Sequence, residues 1–502
     1  MKKRYLVFLG VIFLLCIVMQ GCSEEKSDKE DALSFEMDGK ENNKDENVQG
    51  RNKNIVVWTL PIDMENEGVE KSEKLINEKL MEDGFEFSID FQTVSASADN
   101  YRSVLRSLLI DGKTDIVSLG IDMVDGSWGF AQDIIREGYL EELSPYLLSE
   151  GGKQLYEWYS TEEWKSVEVE GGIYCIPNQY GMHGNQYLAF NRKYVTEEML
   201  QGFNGGIGEI KNLVEQVECP DTVGMIIGGF TVNNLAAMCG LQNIEGVFCD
   251  VKTGKAENPF LNTKFQTVLR DLNALYMAGY MKTTTREQQK EFVKDGNYVL
   301  WLGREQDSFY EEMKESFVQV PLPFVMENSV SSTIGISRNA ANKEIALQLL
   351  TLLYTEEEYA NLLLYGEEGK DYQILDGYVC DMEGGNLRVL RKNLYFGVYD
   401  AAFPCREDDL TINRRNVKNE KYSSKQRVDS ILQGFHVNHS YYDQEMYGVQ
   451  AVFEKYFYVW QADDFDTALQ KAISEYESSG GNKLVEELNR QITEWMQKTK
   501  NK

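Results

Sequence analysis

Ile55-Val56-Val57-Trp58-Thr59-Leu60 is a short β-branched, apolar run with the composition of a strand buried on both faces. Leu75, Ile76 and Leu80 follow at helical spacing within residues 69–81, and Asp83-Gly84 breaks that helix. Phe85, Phe87, Ile89 and Phe91 then alternate at strand period. A second helical stripe, Tyr101, Val104, Leu105, Leu108 and Leu109, ends at Asp111-Gly112 and leads into the buried strand Asp115-Ile116-Val117-Ser118-Leu119-Gly120. Strand, helix, strand, helix, strand is the order of an α/β fold. Right-handed crossovers make such strands parallel and open their C-terminal ends on one edge, where ligands bind in folds of this kind.

Downstream, Gly171-Gly172-Ile173-Tyr174-Cys175-Ile176-Pro177-Asn178-Gln179-Tyr180 reads as a strand leaving one lobe for another, followed by a strand over 187–190. A second α/β region then runs to about residue 332, with the glycine-rich stretch 224–229 and the strand Tyr298-Val299-Leu300-Trp301. Ser332-Thr333-Ile334-Gly335-Ile336-Ser337 would recross to the first lobe, ahead of a helix rich in Ile345, Leu349, Leu350, Leu352 and Leu353. Thr355 and Glu358 have the spacing of a capping box for the next helix.

At the other end, Lys2, Lys3 and Arg4 precede an apolar run over 5–18, the charge order of a secretory signal. The run is shorter than the roughly 20 residues a spanning helix needs. It stops at Met19-Gln20-Gly21-Cys22, which resembles a bacterial lipobox and implies lipidation of Cys22. The alternative is an ordinary cysteine beside a cleaved signal. Residues 23–51 are rich in Glu, Asp, Lys, Asn and Ser, too polar to offset the entropy of ordering, and are expected to be a flexible stalk.

The full chain is 42% hydrophobic and 12% aromatic, and the part beyond the stalk is long enough to bury a core of more than one lobe. A net charge of -30 argues against nucleic acid, whose phosphates demand clustered Lys and Arg. Cys175, Cys219, Cys239, Cys249, Cys380 and Cys405 match neither a zinc site nor a CxxC motif. Buried free thiols are one expectation, and pairing of Cys239 with Cys249 or of Cys380 with Cys405 is the other. The sequence holds no H-E-x-x-H, G-x-S-x-G or P-loop pattern, so no metal, cofactor or catalytic residue is expected and ATP would be consumed by another subunit.

Several stretches together resemble the type I, sugar-type extracellular solute-binding proteins of bacterial ABC importers. They are Trp58, Gly138-Tyr139-Leu140-Glu141-Glu142-Leu143, Ile173-Tyr174-Cys175-Ile176-Pro177 and Ala189-Phe190-Asn191-Arg192-Lys193. Asn361-Leu362-Leu363-Leu364-Tyr365-Gly366-Glu367-Glu368-Gly369-Lys370-Asp371-Tyr372 and Glu486-Glu487-Leu488-Asn489-Arg490-Gln491 are similar to a lipoprotein subgroup with an extra C-terminal domain of unassigned function. Asp371 departs from that subgroup's usual His.

The resemblance implies an α/β fold of two discontinuous lobes joined by a hinge, periplasmic-binding-protein-like, with a helical C-terminal extension. The expected division is a signal peptide at 1–21 and a lipidated flexible linker at 22–53. The first lobe takes 54–175 and 333–375, the second lobe 176–332, and a C-terminal segment at 376–502 packs mainly on the second lobe.

The resemblance also places residues near Trp58, Trp128, Gln179, Tyr180 and Trp301 close to ligand. Strand-end tryptophans offer flat faces for a solute but serve equally often as core. Asp122, Asp125 and Arg304 would supply charge-assisted hydrogen bonds near the same ends, or else be solvated loop charges. The expected activity is capture of a solute, a carbohydrate or oligosaccharide, by a lipid-anchored monomer on the extracytoplasmic face of the cell membrane, which hands it to permease subunits without altering it. The alternatives are a glycan-active enzyme, which needs two carboxyls at a defined separation, and a surface sensor or adhesin.

Overall fold

The computed structural model of the chain describes residues 51–62, 67–95, 98–119, 128–177, 186–282, 284–304, 313–325, 333–382, 401–405 and 428–500. The opening run becomes strand β1 (Ile55–Ile62), and β2 (Ser88–Ser95) and β3 (Ile116–Leu119) join it in parallel. Helices α1 (Glu67–Glu82) and α2 (Ala98–Ile110) are the crossovers, and α3 (Trp128–Arg136) follows β3. A hairpin of β4 (Glu168–Val169) and β5 (Gly172–Ile173) then leads to β6 (Cys175–Ile176).

The second lobe begins with β7 (Gln186–Asn191), α4 (Ile207–Val214), β8 (Gly224–Ile227) and α5 (Val232–Met238). A small antiparallel sheet of β9 (Leu241–Ile244), β10 (Val247–Asp250) and β11 (Ala256–Glu257) comes next. After it run α6 (Thr263–Met277), β12 (Met281–Lys282), α7 (Arg286–Lys294), β13 (Tyr298–Arg304) and β14 (Phe317–Pro321). The chain then returns as β15 (Thr333–Ile336), α8 (Lys343–Thr355), α9 (Glu357–Leu364) and the hairpin β16 (Tyr372–Leu375) and β17 (Tyr378–Asp381). It ends in α10 (Val449–Phe457), α11 (Phe465–Ser478) and α12 (Gly481–Lys500).

Two five-stranded sheets organise these elements, one of order β2-β1-β3-β15-β6 and one of order β12-β8-β13-β7-β14. The returning strand β15 is inserted between two others: Ile334 lies opposite both Ser118 of β3 and Ile176 of β6, antiparallel to each. The first lobe is therefore built from separate stretches of chain, and its two cores lie under α1, α8 and α9 and under α2 and α3. Leu347, Leu349, Leu350 and Leu353 of α8 are buried, which explains the apolar density read from the sequence.

Two details differ from the sequence expectations. Val379, Ala401, Ala402 and Cys405 pack into the first lobe, so the C-terminal segment does not transfer at 376; residues 428–500 are the part whose apolar side chains join the second-lobe core. There Asn489 of α12 both donates to and accepts from the backbone of Ala256, closing the edge of β11, and the Tyr476 hydroxyl donates to the Gly246 carbonyl. The capping box at Thr355 does not form, because α8 continues through Thr355, whose hydroxyl donates to the Thr351 carbonyl at 2.7 Å. Glu356 takes the N-cap position of α9 with no side-chain cap.

The six cysteines from Cys175 to Cys405 are all free thiols. Burial pushes Cys175 and Cys249 up to about 12 and Cys239 up to about 11. They serve as small apolar side chains, which settles the choice against disulfides at these positions.

Candidate functional site

The C-terminal end of β3 at Leu119 and the start of β15 at Thr333 are paired, and so are the end of β13 at Arg304 and the start of β7 at Gln186. Asp122 follows β3 by three residues, Trp128 opens α3, Gln179 and Tyr180 lie between β6 and β7, and Arg304 closes β13. These candidates thus belong to segments that leave strand ends of the two sheets. Cys22, Asp122, Gln179 and Tyr180 fall outside the described residues, as do the side chains of Trp128 and Arg304.

Trp58 and Trp301 occupy different places from those expected. Both have no exposed surface. Trp58 Nε1 donates to Ser118 Oγ at 3.1 Å, and its ring meets Phe91 at a centroid distance of 5.8 Å. Trp301 is set edge-on to Tyr187 at 5.6 Å and to Phe317 at 6.0 Å. Each indole fills the interior of its own lobe, the reading that a strand-end tryptophan always leaves open. As placed, neither presents a face to a solute.

Residues unmarked in the sequence shape the second-lobe edge. Gln186, 4% exposed, donates from Nε2 to the Gly229 carbonyl at 2.8 Å, and its Oε1 accepts the Thr231 N–H at 3.3 Å. Thr231 caps α5 by accepting the Asn234 N–H, and Asn234 Nδ2 donates to the Pro323 carbonyl at 3.1 Å. The turn this network holds requires glycine: Gly228 has φ +97°, and a Cβ there would stand 3.2 Å from both the Cβ and the carbonyl oxygen of Leu302.

A cavity of about 570 Å³ opens beside that turn, bounded by Phe230 and Val232, by Lys282, Thr284 and Gln289, and by the C-terminal Phe457, Tyr458 and Trp460. Its volume falls within the roughly 300–1,000 Å³ of small-molecule sites. The aromatic cluster Phe453, Phe457, Tyr458 and Trp460 was a signal in the sequence that could have pointed here.

A second cavity of about 340 Å³ lies where Arg102, Arg106 and Asp133 of the first lobe face Glu245, His439 and Tyr442. Glu245 accepts from the Tyr442 hydroxyl at 2.8 Å and contacts His439 Nε2 at 2.5 Å. Burial opposes the imidazolium, yet the hydrogen bond and charge of Glu245 outweigh it and raise the His439 pKa. His436 lies on the same stretch and behaves oppositely, pushed down to about 3 by burial and then by Arg136. No cluster of three or more metal-ligating side chains occurs among the described residues, and among them no helix is long and apolar enough to cross a membrane.

Two discontinuous lobes, each with a five-stranded mixed sheet, and a helical extension on the second lobe make up the fold of the extracellular solute-binding proteins. The chain is similar to the crystal structure of the N-glycan transport solute-binding protein NgtS from Streptococcus pneumoniae, with a TM-score of 0.58 and 19% identity over 89% of this chain and 99% of that one. It is similar as well to an HMO-binding, ABC-transporter-associated solute-binding protein from Bifidobacterium longum infantis, with a TM-score of 0.56 and 17% identity over 88% and 99% of the two chains. In sequence it is 23% identical over 383 residues to a carbohydrate ABC transporter substrate-binding protein of S. pneumoniae serotype 4, covering 70% of this chain and 76% of that protein. Residues 431–497 match a family described as a domain of unknown function, DUF3502.

Proposed function

We propose that this protein is the solute-capturing component of an ABC importer, that its solute is a carbohydrate or oligosaccharide, and that it binds the solute without chemical change. The observation that carries the reading is the two-lobed architecture, in which the chain passes between lobes after β6, after β14 and again before residue 428. Repeated passage of the chain between two separately cored lobes suits hinge rotation. Solute stabilises the closed form only through contacts it makes in that form and not in the open one, so both lobes must contribute. Asp122, Trp128, Gln179, Tyr180 and Arg304 are the contacts we assign, from their positions on segments at the strand ends. Trp58 and Trp301 support those ends from within.

The names of the similar proteins support a sugar as the solute class. The early basic-then-apolar run and Met19-Gln20-Gly21-Cys22 support export and a lipid anchor on Cys22. The protein then works as a monomer on the extracytoplasmic face, without cofactor, and passes its solute to membrane permease subunits.

A thermal-shift screen of the soluble chain against oligosaccharides, polyols and peptides tests this, with each mixture analysed for products. Stabilisation by a sugar that is recovered intact is the expected result. Cleavage of the sugar, or stabilisation by peptides alone, overturns the reading.

A further inference from the structure

The geometry points to the cavity between the second-lobe edge and the C-terminal segment as a subsite for one neutral sugar ring of an extended oligosaccharide, with residues 453–461 of the unassigned C-terminal domain forming its aromatic wall. The inference rests on the proposed function and adds a location, a ligand unit and a task for that domain.

The cavity lining is the first ground. Tyr458 lines the cavity and is 57% exposed, and its ring lies 5.1 Å from that of Phe457. Such a platform covers the apolar face of a sugar ring, while Gln289 and Gln461 offer neutral donors and acceptors for its hydroxyls. The charged lining residues are Lys282 and Glu454, one of each sign. This balance suits an uncharged ligand and opposes a phosphate or a peptide carboxylate.

The second ground is independent of shape. Trp460 is 6% exposed, and its Nε1 is buried with no acceptor among the described residues; Thr284 Oγ1 is in the same condition. An unsatisfied buried donor costs about 1–3 kcal/mol, and both residues line the cavity although neither polar atom has surface open to it, so a hydroxyl acceptor would reach them only after a turn of the side chain. The Trp460 backbone is fixed meanwhile, because Asn273 Nδ2 donates to its carbonyl at 2.9 Å and Tyr276 abuts its ring edge-on at 5.7 Å.

Continuity is the third. Gln186 pairs in register with Arg304, the strand end assigned to ligand contact, and the same side chain holds the Gly229 carbonyl beside the cavity. A saccharide chain bound across the strand ends can therefore extend into the cavity along a single edge of the sheet.

Isothermal calorimetry with maltose-, xylose-, mannose- and fructose-based series from disaccharide to hexasaccharide tests the assignment on the wild type and on Tyr458→Ala and Gln461→Ala. In the series that binds, we expect each variant to weaken the longer members about fivefold or more while leaving the shortest binding member unchanged. Circular dichroism melts that match the wild type establish that both variants are folded. Equal affinities of wild type and variants for every length overturn the subsite. Binding of no saccharide by the wild type instead brings down the proposed function, and the subsite with it.

Discussion

Asp115 Oδ1 accepts the backbone N–H of Ala341 at 2.7 Å, joining the first stretch of the first lobe to the stretch that returns after the second. Its other oxygen accepts the Val57 N–H at 2.9 Å and pairs with the Arg51 guanidinium. A carboxylate that is 1% exposed and holds the backbones of β1 and of the loop before α8 works as a staple between distant parts of the chain. Asp115→Asn keeps one acceptor but turns an amide N–H toward donors. We expect a loss of about 2–3 kcal/mol in urea unfolding. A variant within about 0.5 kcal/mol of the wild type would show that the two stretches hold together without it.

Trp58 tests the distinction between a ligand contact and a buried support. Trp58→Ala should destabilise the first lobe by about 3–5 kcal/mol through the cavity it leaves. Trp58→Phe should cost less, losing the Ser118 hydrogen bond and part of the volume. With a bound saccharide as probe, the Phe variant should keep its affinity within about twofold of the wild type. A tenfold loss in a variant with a normal melt would restore Trp58 to the binding surface.

The order β1, β2, β3 with intervening helices was legible because local periodicity determines it: Phe87, Ile89 and Phe91 alternate, and Leu105 and Leu109 share a helix face. The return of residues 332–337 was legible as a strand, but its position between β3 and β6 is a non-local pairing that no window of sequence contains. Tryptophan at a strand end says nothing about which way the ring turns, and both Trp58 and Trp301 turned inward. The aromatic cluster around Phe457 and Tyr458 was visible in the sequence, but the cavity it walls was not. It exists only because α10 comes to rest beside Gly228 and Gly229, more than two hundred residues earlier in the chain.

Gly228→Ala introduces strain at a single point. A Cβ at φ +97°, already too close to Leu302, should cost about 1–3 kcal/mol in the melt and shift the turn that Gln186 holds. Saccharide affinity should fall together with stability, whereas Gly202→Ala should lower stability without touching affinity, because Gly202 also has positive φ but open space around it. Undiminished binding by folded Gly228→Ala would detach this turn from the site.

Free thiols make a chemical prediction. With Cys16 and Cys22 replaced by serine, six thiols should react with Ellman's reagent after denaturation without reductant, and Cys175, Cys239 and Cys249 should be protected in the folded protein. Burial keeps these three protonated well above neutral pH, and the thiolate is the reactive species. Recovery of only four thiols from the denatured chain would reveal a disulfide.

The two histidines beside the seam between lobes give stability opposite slopes in pH. His439 has a raised pKa in the folded state, so its contribution is complete below the unfolded imidazole value of about 6.5 and is lost as pH climbs through the raised value. His436 is lowered to about 3, so folding favours its neutral form; that contribution is complete above about 6.5 and drains away as pH falls toward 3. Asp133 and Arg136 of α3 act on His439 with opposite sign, and Arg136 also opposes the charge on His436, so the first lobe takes part in both titrations. A melt series from acid to mildly alkaline pH should therefore peak near the ordinary imidazole value. His439→Gln should flatten the alkaline limb and spare the acid limb, and Glu245→Gln should do the same, since the carboxylate is what raises the histidine. An alkaline limb unchanged in both variants would show that the His439–Glu245 pair carries none of the pH dependence.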